Sequence, residues 1–196
     1  MARVLINHGW TNRRPKGMWA RHLAAELRAD GHVVIYPQFP NTDNPVLEEW
    51  QGLLIDELEH LDEAGAGETI FIGHSLGCIN WIQAAATGKI VNPVDRVLLV
   101  APADPKLLDE VPGMNVDLTN ADVAQSVLAS ARSLTVVGSD KDPWAPRGVQ
   151  ETFGDPLNLE AVIIPGAGHI TLDEGWGRWQ GVIDWVLDPT ADLRVH

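Results

Sequence analysis

Short apolar runs that alternate with segments of helical period constrain this chain more than any other feature. Six runs combine β-branched residues with nearly unbroken hydrophobicity: 3–7, 32–36, 69–73, 96–101, 134–138 and 161–164. Most lack a polar residue at every second position, which marks strands covered on both faces, as in a parallel sheet. Helical patterns lie between them. Ala20, Leu23, Ala24 and Leu27 follow the i, i+3, i+4, i+7 template, with Gly31 placed to end the helix. Leu47, Trp50, Leu54, Leu58 and Leu61 form a longer stripe, and Trp179, Val182, Ile183 and Val186 another, which Asp188-Pro189 stops. Strand and helix in turn predict right-handed crossovers and an α/β architecture: about six mostly parallel strands with helices on both faces. No repeat or linker divides the chain, so residues 1–196 are read as one domain. Ligands of such sheets bind beyond the carboxyl ends of the strands, so a polar cluster just after a strand outweighs one elsewhere.

By that criterion Gly73-His74-Ser75-Leu76-Gly77 is the sharpest signal. It matches G-x-S-x-G, follows the strand at 69–73 and opens the apolar stretch 76–86. A tight strand-to-helix turn of this kind lifts its serine above the sheet edge. The helix behind it directs N–H groups and a positive dipole end at the same place. Ser75 is therefore the candidate nucleophile. A serine hydroxyl is weak on its own and needs a histidine base oriented by an acid. After Ser75 the only histidines are His169 and the terminal His196, and His169 follows the last strand in Gly166-Ala167-Gly168-His169. It is the candidate base.

The acid is less uniquely marked. Gly138-Ser139-Asp140-Lys141-Asp142-Pro143 follows the fifth strand and offers two aspartates. Asp142 is preferred, because a proline-stiffened turn fixes its direction, while Asp140 suits a turn cap. Asp104, after the fourth strand, is a third candidate. An oxyanion hole needs two N–H donors aimed where charge develops. The expected donors are the backbones of Leu76, which follows the nucleophile, and Trp10, in the loop His8-Gly9-Trp10-Thr11. His8 and His74 are read as structural loop and turn residues.

Composition narrows the partners. Lysine and arginine number 14 against 27 aspartate and glutamate, a formal net charge of −13. That balance repels a phosphate backbone, which needs clustered cations, so nucleic acid is excluded as a partner. No apolar stretch reaches the roughly 18 residues of a membrane helix, and no signal-peptide core precedes His8-Gly9. Cys78 is the only cysteine, which rules out an internal disulfide. A cytoplasmic protein without a membrane partner is the resulting expectation. Cys78 has no basic neighbour to favour a thiolate, and no histidines or cysteines stand at zinc-ligand spacing. Gly65-Ala66-Gly67 precedes a strand instead of following one, so it is no dinucleotide fingerprint. No cofactor or metal is implied.

These residues resemble the α/β-hydrolase superfamily, and more narrowly its small YdeN-like branch, the retinoblastoma-binding-protein type of serine hydrolase. The resemblance spans nearly the whole chain. It rests on His8-Gly9-Trp10, the helix start at 45–50, the elbow at 73–77, Asp142-Pro143-Trp144-Ala145-Pro146, and Gly168-His169 followed by Gly175-Trp176-Gly177-Arg178-Trp179. It implies a Ser75–Asp142–His169 triad and a cofactor-free hydrolase of small esters or amides. One departure is the Asp140-Lys141-Asp142 spacing, where many of the superfamily have one residue fewer, which keeps Asp140 in contention.

Larger hydrolases of this fold insert a lid after the fourth strand. Here residues 102–133 must also hold a crossover helix, expected at 120–131, which leaves no substantial lid. Val111-Pro112-Gly113-Met114 is expected to overhang Ser75. Of the eight tryptophans, Trp179 and Trp185 read as core, whereas Trp10 and Trp144 flank the oxyanion and acid loops and are expected to line a substrate pocket. Three functions remain: a serine hydrolase acting on a small acyl substrate, an acyltransferase using the same triad, and a protein-binding module on a hydrolase fold. No specific protein partner is indicated.

Overall fold

The computed structural model describes residues 1–196. In chain order the elements are β1 (Ala2–Asn7), α1 (Trp19–Ala29), β2 (Val33–Ile35), α2 (Leu47–Glu63), β3 (Glu68–His74), α3 (Leu76–Ala86), β4 (Val94–Val100), α4 (Ala121–Ala129), β5 (Ala131–Ser139), β6 (Val162–Ile164) and α5 (Gln180–Leu187). The six strands form one sheet in the order β2-β1-β3-β4-β5-β6, and every pairing is parallel. The strand that carries the elbow, β3, thus lies inside the sheet between β1 and β4.

Both sheet faces are dry, which explains the missing polar alternation. Leu5, Phe71, Val97, Leu99 and Val136 point into one apolar layer with Trp50 and Leu54 of α2, Ile79 and Ile82 of α3 and Val127 of α4. Their neighbours Val4, Ile6, Ile70, Ile72, Leu98 and Val137 point the other way, against Leu23 and Leu27 of α1 and Val182 and Val186 of α5. Trp179 and Trp185 are buried in that second layer. The last turn of α5 is held by Arg96, itself buried near the start of β4. Its guanidinium donates to Trp185 O at 2.6 Å and Val186 O at 2.7 Å, pairs with Glu68 and lies over the Trp185 ring. A cation thus meets the carbonyl end of a helix, where the dipole is negative.

The edge strands β2 and β6 have three residues each. Arg28 donates through Nε and Nη2 to Val34 O at 3.2 and 2.8 Å, and Arg194 Nε donates to Ile163 O at 3.3 Å.

Two expectations are corrected. The crossover helix is shorter than 120–131, because Asn120 caps its start through the Asp122 N–H and Ser130 ends it. Ala131 already pairs with Val94, so β5 starts three residues before the apolar run does. The segment 111–114 does not overhang the serine. Val111 and Met114 are buried in the layer with α3, and Gln83 of that helix donates to Gly113 O and Asn115 O at 2.8 and 2.7 Å. Two large apolar side chains draw it into the core instead of over the cleft. Between β4 and α4 the only other regular piece is a single 3₁₀ turn, Pro105–Leu107, so no lid covers the sheet edge. No helix is long and apolar enough to cross a membrane.

Candidate active site

The turn from β3 into α3 puts Ser75 at φ 54° and ψ −119°, a conformation that costs a side-chain-bearing residue about 1–3 kcal/mol. The Ser75 N–H donates to Val100 O at 3.0 Å, which ties the turn to β4. The flanking glycines have separate steric reasons. A Cβ on Gly73 would lie 2.9 Å from the Cys78 nitrogen, and one on Gly77 would run into the carbonyls of Asn7 and His8. So α3 packs directly on the end of β1, and the loop after β1 is brought over the serine.

Three loops at this edge deliver the remaining groups. His169 follows β6, and its Nε2 lies 2.8 Å from Ser75 Oγ. Asp142 follows β5, and both of its carboxylate oxygens lie 2.9 Å from His169 Nδ1. A carboxylate only accepts, so Nδ1 carries the proton, and the Nε2 lone pair faces the serine hydroxyl. The Trp144 N–H donates to Asp142 Oδ1 at 2.8 Å and fixes the carboxylate. All three residues are buried, with Ser75 and His169 reaching the cleft floor.

The other two aspartates are occupied elsewhere. Asp140 Oδ1 accepts from the Gly166 N–H at 2.7 Å, bridging the loops after β5 and β6. Asp104 is held by Arg147 at 2.9 and 3.1 Å and accepts from the Lys106 N–H. Burial opposes its charge, but the Arg147 hydrogen bonds, the Lys106 N–H and the two nearby cations together outweigh it and keep the carboxyl below its usual range.

The loop after β1 lies against the serine: a Cβ on Gly9 would stand 2.8 Å from Ser75 Cβ. His8 organises this loop. Its Nδ1–H donates to Gly9 O, and its Nε2 accepts from the Phe39 N–H, each at 2.9 Å. Burial lowers its pKa to about 4, with the Arg14 cation adding to the effect against the Gly9 bond, so it is neutral. The backbone N–H groups of Trp10 and Leu76 are taken by no other group of the chain.

His74 does more than shape the turn. Its Nε2–H donates to His169 O at 2.9 Å, and burial, helped by nearby His169, lowers its pKa to about 3. Cys78 is buried with its Sγ toward Val100 O, and burial pushes its thiol well up, so it is no nucleophile.

The relay opens into a cleft of about 710 Å³ whose apolar lining includes Trp10, Met18, Leu76, Leu108, Trp144 and Leu172. The Trp10 and Trp144 rings meet edge to face at 6.0 Å, and Trp144 is 38% exposed at the mouth. Trp10 is oriented by its Nε1–H, which donates to Asp43 O.

Glu174 went unread in the sequence. Its carboxylate accepts from the His169 N–H at 2.9 and 2.8 Å, from the Thr171 N–H at 3.1 Å and from the Thr171 hydroxyl at 2.8 Å. The signal was present: Thr171-Leu172-Asp173-Glu174 has the spacing of a capping box. Arg147 and Arg96 gave none, since an isolated arginine reads as surface until its partners are placed.

A family model described as serine hydrolase matches residues 4–187. No curated protein sequence matches the chain. Among solved structures, the ydeN gene product of Bacillus subtilis superposes with a TM-score of 0.77 at 22% identity, covering 95% of this chain and 97% of that one. A putative YdeN-like hydrolase of Pectobacterium atrosepticum gives 0.71 at 20% identity, covering 95% and 90%. Est1E of Butyrivibrio proteoclasticus gives 0.67 at 16%, covering 95% and 87%.

Proposed function

The chain belongs to the serine hydrolase family, and from that premise we propose that it cleaves small carboxylic esters, with small amides as a second substrate class, through an acyl-enzyme on Ser75. The observation that carries this reading is the unbroken relay from Ser75 Oγ through His169 to the Asp142 carboxylate, at 2.8 and 2.9 Å.

In this reading Ser75 Oγ attacks the acyl carbonyl while His169 Nε2 takes its proton. Asp142 holds the tautomer and stabilises the imidazolium that forms. The carbonyl oxygen becomes an anion received by the free N–H groups of Trp10 and Leu76, a pair of donors each worth about 3–4 kcal/mol in systems of this kind. His169 then returns the proton to the leaving alcohol or amine. Water, activated by the same histidine, releases the acid and restores Ser75. Trp10 and Trp144 border the acyl or leaving-group pocket, and their flat apolar faces favour a compact or aromatic substituent.

Fluorophosphonate labelling of the wild type beside Ser75→Ala tests the proposal. Labelling of the wild type alone is the expected result. A folded wild type that does not label overturns it and leaves the fold as a binding module. A panel of p-nitrophenyl esters of increasing chain length then sizes the pocket, and adding an alcohol or peroxide acceptor detects acyl transfer in place of hydrolysis. Trp10→Ala and Trp144→Ala are expected to change the preference within that panel; unchanged KM and preference remove the two tryptophans from the pocket.

A further inference from the structure

The base His169 sits in a backbone that would not hold its shape unaided. Gly168 before it has φ 62° and Ile170 after it φ 54°. For a β-branched residue the left-handed region is strongly disfavoured, so the loop needs fixing from outside. Three side chains provide this. The Glu174 carboxylate accepts from the His169 N–H with both oxygens, His74 Nε2–H donates to His169 O at 2.9 Å, and Trp19 Nε1–H donates to Ile170 O at 3.1 Å. Gly168 is matched to the same carboxylate, because a Cβ there would collide with Glu174 Oε1 and stand 2.5 Å from its Cδ. The glycine that precedes the histidine therefore makes room for an anion as well as a turn.

We propose that Glu174 is a positioning residue for His169, which fixes the imidazole through the histidine's own main chain and sets a second carboxylate behind it. This rests on the reading of His169 as the general base. The second half follows from charge. The ionisable groups bonded to His169 are Asp142, His74 and Glu174, while Arg13 and Asp173 of opposite charge line the cleft it opens into. His74 is neutral, so the bonded charges are two carboxylates: Asp142 directly at Nδ1, and Glu174 behind its backbone. Glu174 is thus a carboxylate that acts on the base without touching substrate. A carboxamide in its place has one acceptor oxygen for three donors and no charge.

Glu174→Gln and Glu174→Asp test this with an activated ester as substrate, alongside NMR titration of the His169 imidazole in each protein. Displacing a reacting group by about 1 Å costs on the order of 100-fold, so a partly loosened loop in Glu174→Gln is expected to lower kcat about tenfold, with KM changed by less than about twofold. Loss of the charge is expected to move the acid limb of kcat/KM, and the NMR titration with it, to lower pH. Glu174→Asp, which keeps the charge on a shorter arm, is expected to lose kcat while the titration stays near the wild-type position. A folded Glu174→Gln with wild-type kcat and an unmoved titration overturns the proposal, as does a loss of kcat with no movement in the titration. Should Glu174→Gln not fold, Glu174→Asp decides: lowered kcat supports the proposal and wild-type kcat overturns it. The imidazole titration needs no turnover, so a wild type that fails to label at Ser75 refutes the hydrolase reading while the effect of Glu174 on His169 is still measured.

Discussion

Gly9→Ala probes how closely the loop after β1 must approach Ser75 for the proposed chemistry. Gly9 does not have a positive φ, so alanine brings no backbone strain and the effect is steric. The new methyl would stand 2.8 Å from Ser75 Cβ and 3.3 Å from both Ser75 Oγ and His74 O, whereas ordinary contact begins at 3.4 Å. The elbow is bracketed by β3, β4 and α3 and cannot yield, so the loop retreats by about 0.6 Å and takes the Trp10 N–H with it. A donor lost outright costs on the order of 10²–10³ in kcat, and a retreat of this size is expected to cost about 10–100-fold. KM should stay within about threefold, because the donor acts on the developing oxyanion more than on the bound ester. The methyl also overpacks a tight contact, for about 1–3 kcal/mol of stability. Steady-state hydrolysis of a p-nitrophenyl ester, paired with urea unfolding of the same preparation, separates the two effects. A folded Gly9→Ala with kcat within twofold of wild type would refute the argument that this loop supplies an oxyanion donor.

Asp142→Asn is expected to lower kcat by about 10⁴-fold through the wrong histidine tautomer, whereas Asp140→Asn, which still accepts from Gly166, should stay within about threefold; esterase kinetics on the two variants distinguishes them. Stability should fall on acidification. The folded pKa values of His8, about 4, and His74, about 3, lie below the ordinary histidine value of 6.5, so the unfolded chain takes up protons first. The contribution of each is complete above about pH 6.5 and is lost below it at up to about 1.4 kcal/mol per pH unit, until its folded pKa is reached. Urea midpoints at pH 7 and pH 5 measure the slope, and His8→Gln should flatten it. Arg96→Met strips Trp185 O and Val186 O of their donors and is expected to cost about 2–4 kcal/mol by urea unfolding. Glu68→Gln, on the half-exposed side of that pair, should cost less than about 1 kcal/mol.

The sheet was legible because strands buried on both faces write continuous apolar runs, and the elbow was legible because its glycines are steric necessities. The structure also brings Ser75, Asp142 and His169 within hydrogen-bond distance. What escaped reading depends on partners far away in sequence. Arg132 and Ser133, next to the start of β5, are polar and exposed and so hide a strand that only pairing with β4 reveals. Val111 and Met114 read as an overhang until the packing surface of α3 is in place. His74 looked like a turn residue because its partner, His169 O, lies 95 positions away. Asp104 and Asp142 both follow a strand and precede a proline-containing stretch; Arg147 separates their roles, and it is visible only in three dimensions.

The two rims of the sheet carry a consequence for how copies of this molecule meet. Each rim is three residues long, and a carbonyl on each is already engaged by a guanidinium, Arg28 on Val34 and Arg194 on Ile163. A second chain extending the sheet in trans would have to displace that arginine and would gain only a few main-chain bonds in return. Ribbon-like growth from the native state is therefore blocked at both ends. Any self-association of the folded protein must run through helix faces or loops, where a net charge of −13 makes it sensitive to ionic strength.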